Sequence, residues 1–505
     1  MTQHLTSLPV LLPMFAGIIL LMPPCGKNKV TRRFTSVLLS SITFVVSLFL
    51  LLKTQADGIQ VYAVGSWTAP FGIVLVADSL STLLVCLTSL LGAVCVLYAS
   101  AGDDEKGSFF HPLVHFLVLG VNGAFLTGDA FNLFVFFEVL LIASYSLLMH
   151  GGDKNNTRAA LHYVIMNLVG SAVFLIALGI LYGVLGTLNM ADMAHKVTHL
   201  QGDDVYLAKI GGMLLFIVFA LKGALLPLHL WLPNTYSTAM PVIAALFAIM
   251  TKVGVYSMMR VYTLIFGENA GELSHMAQSW MWWLALATIA LGAVGVLASR
   301  DLRKLISNLV IVSVGTLVAL IAVQTIDAMA AAIYYLVHST LITAALYVLA
   351  DLIGRQRGKV ADRFTAGRPV AQPMLLGSCF LIAAVAVIGM PPLSGFIGKV
   401  WLLKATVNIE YTVIFWPLYL IASLAILLAV SKAGSTLFWY HRRKITDNSE
   451  QDRVHPAQLI ALIILIVSTP LMSIFAGQLT DYSIGAASQL HDSYNNINLI
   501  IPGGQ

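Results

Sequence analysis

The chain has 505 residues, of which 58% are apolar and only 10% charged, with a net charge of +5. A water-soluble domain carries about 25% charged residues, and this chain lacks the polar surface that a soluble protein of its length needs. The excess positive charge sits in loops between long apolar blocks, a pattern that orients a membrane protein and does not signal nucleic-acid binding.

About 20 apolar residues in a helix cross the hydrocarbon core, and helices satisfy their own backbone groups there. The apolar blocks predict an all-α polytopic membrane protein with about 14 spans. In chain order they lie at 7–23, 33–52, 73–99, 112–128, 130–149, 162–184, 208–232, 240–264, 280–298, 305–323, 328–352, 374–407, 411–439 and 457–477. The first block lacks the positive residues that precede the apolar stretch of a signal peptide, so it reads as a retained helix. Alternate loops carry Lys27 to Arg33, Lys106, Lys154 with Arg158, Arg300 to Lys304, Arg355 to Arg368, and Arg442 to Arg453. The opposite loops and tails hold only Lys53, Lys196 and Lys209. Lys/Arg-rich loops are cytoplasmic, so both termini are expected on the outer, periplasmic side of a bacterial inner membrane.

Cys25, Cys86, Cys95 and Cys379 form no CxxC pair or Cys/His cluster. Metal, iron–sulfur and disulfide roles are therefore not expected, and neither is any cofactor. Six Lys or Arg residues fall inside spans: Lys222, Lys252, Arg260, Lys399, Lys404 and Lys432. Arg260, Lys404 and Lys432 lie near span ends, where they are expected to snorkel to the interface. Lys222, Lys252 and Lys399 lie near the middle, as do Glu138 and His338. A charge at that depth costs about 2.5–3.5 kcal/mol on insertion scales, so five such groups imply a use, which a proton path supplies. The competing explanation is a Glu138–lysine ion pair that only locks two helices together. Asp78 is expected either at a subunit contact or as a satisfied buried acid. His229 marks either the place where protons enter or a loop contact. Asp129 and Asp351 are expected at the interface.

Two spans look broken: one by Pro227 and Pro233 just after Lys222, the other by Gly389-Met390-Pro391-Pro392. Interrupted spans in two halves of a chain suggest inverted repeats with sites at mid-membrane. Here the repeats would be two inverted five-helix units, each with a broken helix. The expected organisation is an N-terminal three-helix segment (1–111), a first repeat (112–264), a second repeat (280–440), and a last helix with a short external tail (457–505).

The stretch Lys222-Gly-Ala-Leu-Leu-Pro227-Leu-His229-Leu-Trp231-Leu-Pro233, the stretch Thr251-Lys252-Val253-Gly254-Val255-Tyr256, and Gly389-Met-Pro-Pro-Leu-Ser-Gly-Phe396-Ile-Gly-Lys399 resemble the proton-conducting antiporter-like membrane subunits. That family includes the Mrp-type multisubunit cation/proton antiporters and the membrane arm of complex I. Ala69 to Asp78, Lys399 and the short tail resemble the D-type branch of the Mrp subunits. The resemblance implies that Glu138 pairs with Lys222, that Lys252 and His338 continue the row, and that Lys399 ends it. Many relatives carry a lysine five residues beyond the histidine, where this chain has Thr343, so water held by Thr343 and Ser339 would have to substitute. It also implies a non-enzymatic role in antiport of H+ against Na+ or K+, within a hetero-oligomeric antiporter complex in the lipid bilayer. A proton-pumping subunit of a respiratory or hydrogenase complex is the rival, and a scaffold whose charges only hold helices together is a third reading.

Overall fold

A computed structural model of the chain describes residues 4–107, 109–152, 154–407, 412–440 and 453–501. The expected charges Arg442, Arg443 and Lys444 lie outside the described residues. The chain opens with α1 (Leu8–Leu21) and α2 (Lys29–Asp57), followed by the antiparallel strands β1 (Gln60–Ala63) and β2 (Val74–Ala77). Then come α3 (Ser79–Ala99), α4 (Phe110–Leu126), α5 (Ala130–Leu148), α6 (Lys154–Leu185) and a short α7 (Met190–Val197). The seventh span divides into α8 (Asp203–Gly223) and α9 (Trp231–Thr238), and the eighth into α10 (Pro241–Phe247) and α11 (Met250–Leu264). After α12 (Gln278–Ala298), α13 (Leu302–Val323) and α14 (Ile326–Arg357), the twelfth span divides into α15 (Pro373–Ile388) and α16 (Ser394–Ala405). The chain ends with α17 (Thr412–Phe438), α18 (Pro456–Ile474), α19 (Ala476–His491) and α20 (Ser493–Ile500).

Among the described residues eleven helical segments are long and apolar enough to cross a membrane, α10 with α11 counting as one, and α1, α4 and α15 are shorter apolar helices. Their outward faces are apolar, as with Phe34, Leu38 and Phe49 of α2, because lipid rewards no polar group there. Helix α14 sits at the centre, packed by α10, α13, α15, α16, α18 and α19.

Three features depart from the predicted elements. Residues 74–77 form a strand, because Asp78 caps the N-terminus of α3 by accepting from the Ser81 amide at 2.8 Å and so fixes where that helix starts. The eighth span carries a turn at 248–249 that hydropathy does not register. The tail expected after the last span is helical, and α19 packs on α14, α3 and α11.

Both predicted breaks are real and end alike. Helix α8 stops with Ala224 in the left-handed region (φ 61°). The Ala224 amide donates to the Leu221 carbonyl at 3.2 Å, and the Leu225 amide to the Ala220 carbonyl at 2.8 Å. Helix α15 stops with Gly389 (φ 80°), whose amide donates to Ala386 at 3.2 Å, while Met390 donates to Val385 at 3.0 Å. This paired closure satisfies carbonyls that a helix end leaves open. In the first break the Trp231 indole also donates to the Leu221 carbonyl, at 3.0 Å, and the Leu226 amide donates to the Thr288 hydroxyl at 2.9 Å. Unwound backbone at membrane depth is tolerated because it is bonded inside the protein.

Candidate proton path

Helix α5 carries Glu138, half-buried, and α6 passes beside it. The Ser171 hydroxyl of α6 donates to the Glu138 carboxylate and also to the Asn167 carbonyl, at 3.0 Å. One helical turn away from Ser171, Asn167 accepts from the Lys222 ammonium at 3.1 Å through its side-chain oxygen. The Phe137 ring lies 5.7 Å from the same ammonium. Glu138 and Lys222 are therefore linked through Ser171 and Asn167, and among the described residues no salt bridge joins them directly. Lys222 is 5% exposed and sits in the last turn of α8, where the partial negative charge of the helix end favours a cation.

Gly223 and Gly254 bring α8 and α11 into backbone contact, since a Cβ on Gly254 would lie 2.5 Å from the Gly223 nitrogen. That crossing sets Lys222 beside the start of α11, where Lys252 is 2% exposed. Among the described residues no side-chain hydrogen bond joins the two lysines. The Lys252 ammonium instead turns to the Ser313 hydroxyl of α13, at 3.3 Å.

Ser313 is one wall of an enclosed cavity between α13, α14, α15, α16 and α17. His338, Ser339, Thr343, Lys399 and Ser423 share that cavity. Its volume open to the centres of water molecules is ≈ 20 Å³, room for about one or two waters. His338 Nδ1 lies 2.9 Å from the Ser394 hydroxyl at the start of α16. Lys399 reaches back across the second break. Its ammonium donates to the Ile388 carbonyl at 2.7 Å and to Ser423 at 3.0 Å. A Cβ on Gly389 would meet the Lys399 stem at 2.5 Å, so this position needs glycine both for its φ and for its space.

The side chains of Lys222, Lys252 and His338 are buried, while those of Glu138 and Lys399 are half-buried. Thr343 and Ser339 line the cavity together with Lys399 and with Ser313, the partner of Lys252. His229 lies in the unwound stretch, and its Nδ1 is buried without a hydrogen-bond partner. Asp78 is 3% exposed and ion-paired with Arg260. It is thus a satisfied buried acid. Arg260, expected to snorkel, is 7% exposed and also donates to the Tyr256 hydroxyl at 3.3 Å. Burying that charge is tolerable because it is paired. Lys404 and Lys432 are exposed, as expected. Asp351, expected at the interface, joins Tyr98 and Arg355 at 2.6 Å each. Sequence reasoning missed Asn167, Ser171, Ser313, Ser394 and Ser423. The spacing of Asn167 and Ser171, four apart on one apolar helix, was the available signal.

A broken-helix bundle carrying a buried row of ionisable side chains, each bonded to hydroxyl, amide or backbone groups, defines a proton-handling membrane protein. Residues 127–428 match the family described as NADH:quinone oxidoreductase/Mrp antiporter, TM, and the chain belongs to that family. It is 36% identical to a Rhizobium meliloti protein described as the probable D-type subunit of a K(+)/H(+) antiporter, over 97% of this chain and 96% of that one. It is 38% identical to the D-type subunit of the Na(+)/H(+) antiporter of Bacillus subtilis, over 92% of this chain and 93% of that one. The fold matches a chain of the Mrp complex from Dietzia sp. DQ12-45-1b with a TM-score of 0.86 at 24% identity, covering 99% of each chain.

Proposed function

We propose that this chain is the proton-translocating D-type subunit of a multisubunit monovalent cation/proton antiporter. It is a secondary transporter component and not an enzyme. Protons move along Glu138, Lys222, Lys252, His338 and Lys399, with Ser171 and Asn167 holding Glu138 and Lys222 in place and water beside Ser339 and Thr343 closing the last gap. The observation that carries this reading is the shared cavity, which sets Lys252's partner Ser313, His338 and Lys399 around space for water. Removing a proton from Lys222 is favoured when the Glu138 charge is far and disfavoured when it is near, because a nearby opposite charge stabilises the ammonium. A shift in the Ser171–Asn167 link therefore sets whether Lys222 holds or releases its proton. Histidine suits the middle of the row because its charge changes near neutral pH in water.

The Na+ or K+ moves in exchange through the whole assembly, and no cation site is assigned to this chain. Its Glu138 and Lys399 ends reach the chain's flanks, which suits proton hand-over to neighbouring subunits. The chain spans the plasma membrane of a bacterium with both termini outside, as the loop lysines and arginines direct. Its two halves are inverted five-helix repeats, a reading supported by their matching helix closures. In everted vesicles holding the complete assembly, Glu138→Ala is expected to abolish cation-dependent proton movement while the complex still assembles. Full exchange by that variant discards the Glu138 assignment. Co-purification with flavin or iron–sulfur subunits would instead place the chain in a respiratory complex.

A further inference from the structure

A second set of buried polar groups lies in the first helices, outside the row just described. Helix α2 is polar inward and apolar outward: Ser36, Ser40, Thr43, Ser47 and Thr54 are all buried. Hydroxyls in a membrane helix commonly bond their own backbone and allow close packing, and Ser40, Thr43 and Ser47 do bond preceding carbonyls. Packing does not explain what stands beside them. Asp104, in the loop before α4, receives Arg33 Nε at 2.9 Å and lies 3.1 Å from His111 Nε2. His111 Nδ1 lies 2.9 Å from the Ser36 hydroxyl, and Ser36 lies 3.1 Å from His115 Nε2. Asp104, His111, Ser36 and His115 are each no more than 2% exposed. Beyond them His115 shares a small cavity with Ser40, Thr43 and Ser89. Its water-accessible volume is ≈ 10 Å³, about one water. Ser89 lies 2.9 Å from Ser47 and accepts from Asn122 Nδ2 at 3.3 Å. Asn122 is fully buried, and among the described residues its Oδ1 has no hydrogen-bond partner. At the other end, Asp104 opens into a cleft with Lys27, Lys29 and Arg32, whose water-accessible volume is ≈ 460 Å³.

We propose that α2, α3 and α4 hold a second proton path, separate from the Glu138–Lys399 row, leading from the basic-loop cleft through Asp104, His111 and Ser36 to His115. The proton balance is simple. When His111 is cationic, its Nε2–H faces the Asp104 carboxylate and its Nδ1–H faces Ser36. The Nδ1–H bond breaks as that proton bonds to the Ser36 oxygen. The original Ser36 O–H breaks as its proton bonds to His115 Nε2. His111 is left neutral and His115 cationic, with no other reactant needed. The charged groups facing this chain are Arg32 and Arg33 from α2 and Asp104 and Glu105 from the loop, with Asp103 beside His150 at the end of α5. Burial alone would raise the Asp104 carboxyl, but hydrogen bonds from His111 and Arg33 hold it well below the usual carboxylate range. Asp104 is thus a standing anion that draws the proton to His111. The water-sized cavity beyond His115 and the unpartnered oxygen of Asn122 carry the path deeper, to within four residues of the end of α4.

The test uses the purified complete complex and infrared difference spectra after a jump to lower pH. The wild type should show an imidazole-protonation band, one component of which His115→Gln removes. Ser36→Ala should leave the size of that band unchanged but slow its appearance about tenfold or more, since a relay group is missing. His111→Gln cuts the same wire one step earlier, and it gives the same reading if Ser36→Ala does not assemble. A band left at full size by His115→Gln, or a His115 component that rises at the wild-type rate without the Ser36 or His111 relay, overturns the proposal. The Glu138→Ala variant should keep the band, so loss of the main row and loss of this path are told apart.

Discussion

The two broken spans close with the same pair of backbone hydrogen bonds, yet they place their lysines on opposite sides of the break. Lys222 precedes its break, in the last turn of α8, and reaches the Glu138 carboxylate only through Asn167 and Ser171. Lys399 follows its break, on α16, and folds back to the Ile388 carbonyl and the Ser423 hydroxyl. Each ammonium therefore meets the C-terminal end of a half-helix, where a cation is favoured by about 0.3–1 kcal/mol, more when partly buried. The difference lies in the counter-charge. The first lysine answers to an acid on a neighbouring helix, whereas the second answers to backbone and a hydroxyl. On the proposed path, the first half can therefore be switched through Glu138, and the second holds its lysine against groups that carry no full charge.

The largest effect should come from inverting the charge at the second break. Lys399→Glu would face the Ile388 carbonyl with a like partial charge, and cation-driven proton flux in proteoliposomes of the complete complex should fall at least 100-fold. Retention of even half the wild-type flux would remove Lys399 from the path. Next comes Asn167→Leu, which leaves both Glu138 and Lys222 in place but cuts the link between them. A flux loss of about tenfold is expected, from a buried ammonium left without its acceptor. An unchanged flux would mean that Glu138 reaches Lys222 by another route and that the contrast between the halves is weaker than drawn. Thr343→Val swaps a hydroxyl for a methyl in the cavity and should slow proton flux about three- to tenfold by drying it. A solvent-isotope effect that is the same in variant and wild type would argue against water there. Smallest is Ser423→Ala, which removes one of two acceptors from Lys399. About a two- to fivefold change is expected, because the Ile388 carbonyl still accepts from the ammonium, and stopped-flow dye assays resolve it.

The charged members of the row were legible because each is a lone ionisable residue in an apolar block, and oil makes such residues conspicuous. Both breaks were legible because proline and glycine interrupt runs that otherwise read as continuous. Ser171, Ser313 and Ser423 were not, because a serine in a membrane helix costs little and carries no signature of its partner. The Asp78–Arg260 pair was hidden for a different reason. Its members are 182 residues apart, so Arg260 taken alone looked like a residue near a span end, and nothing pointed Asp78 to it. The turn at 248–249 contains no proline or glycine, so nothing in the composition announced it.

Helix α19 ties the end of the chain to its beginning. The Tyr482 hydroxyl donates to the Ser79 carbonyl at 2.7 Å, and the Gln489 side chain accepts from the Ser79 amide at 2.8 Å. Ser79 opens α3, so the entrance to an early helix is secured by residues made about 400 positions later. During synthesis the flank of α14 that α19 covers must wait, already inserted, until residues 476–491 have been made. Contacts of such long sequence separation form late and leave earlier intermediates exposed. Truncation from residue 476 onward should therefore harm biogenesis more than its distance from the proton path suggests, and yield of the inserted chain is the quantity to follow.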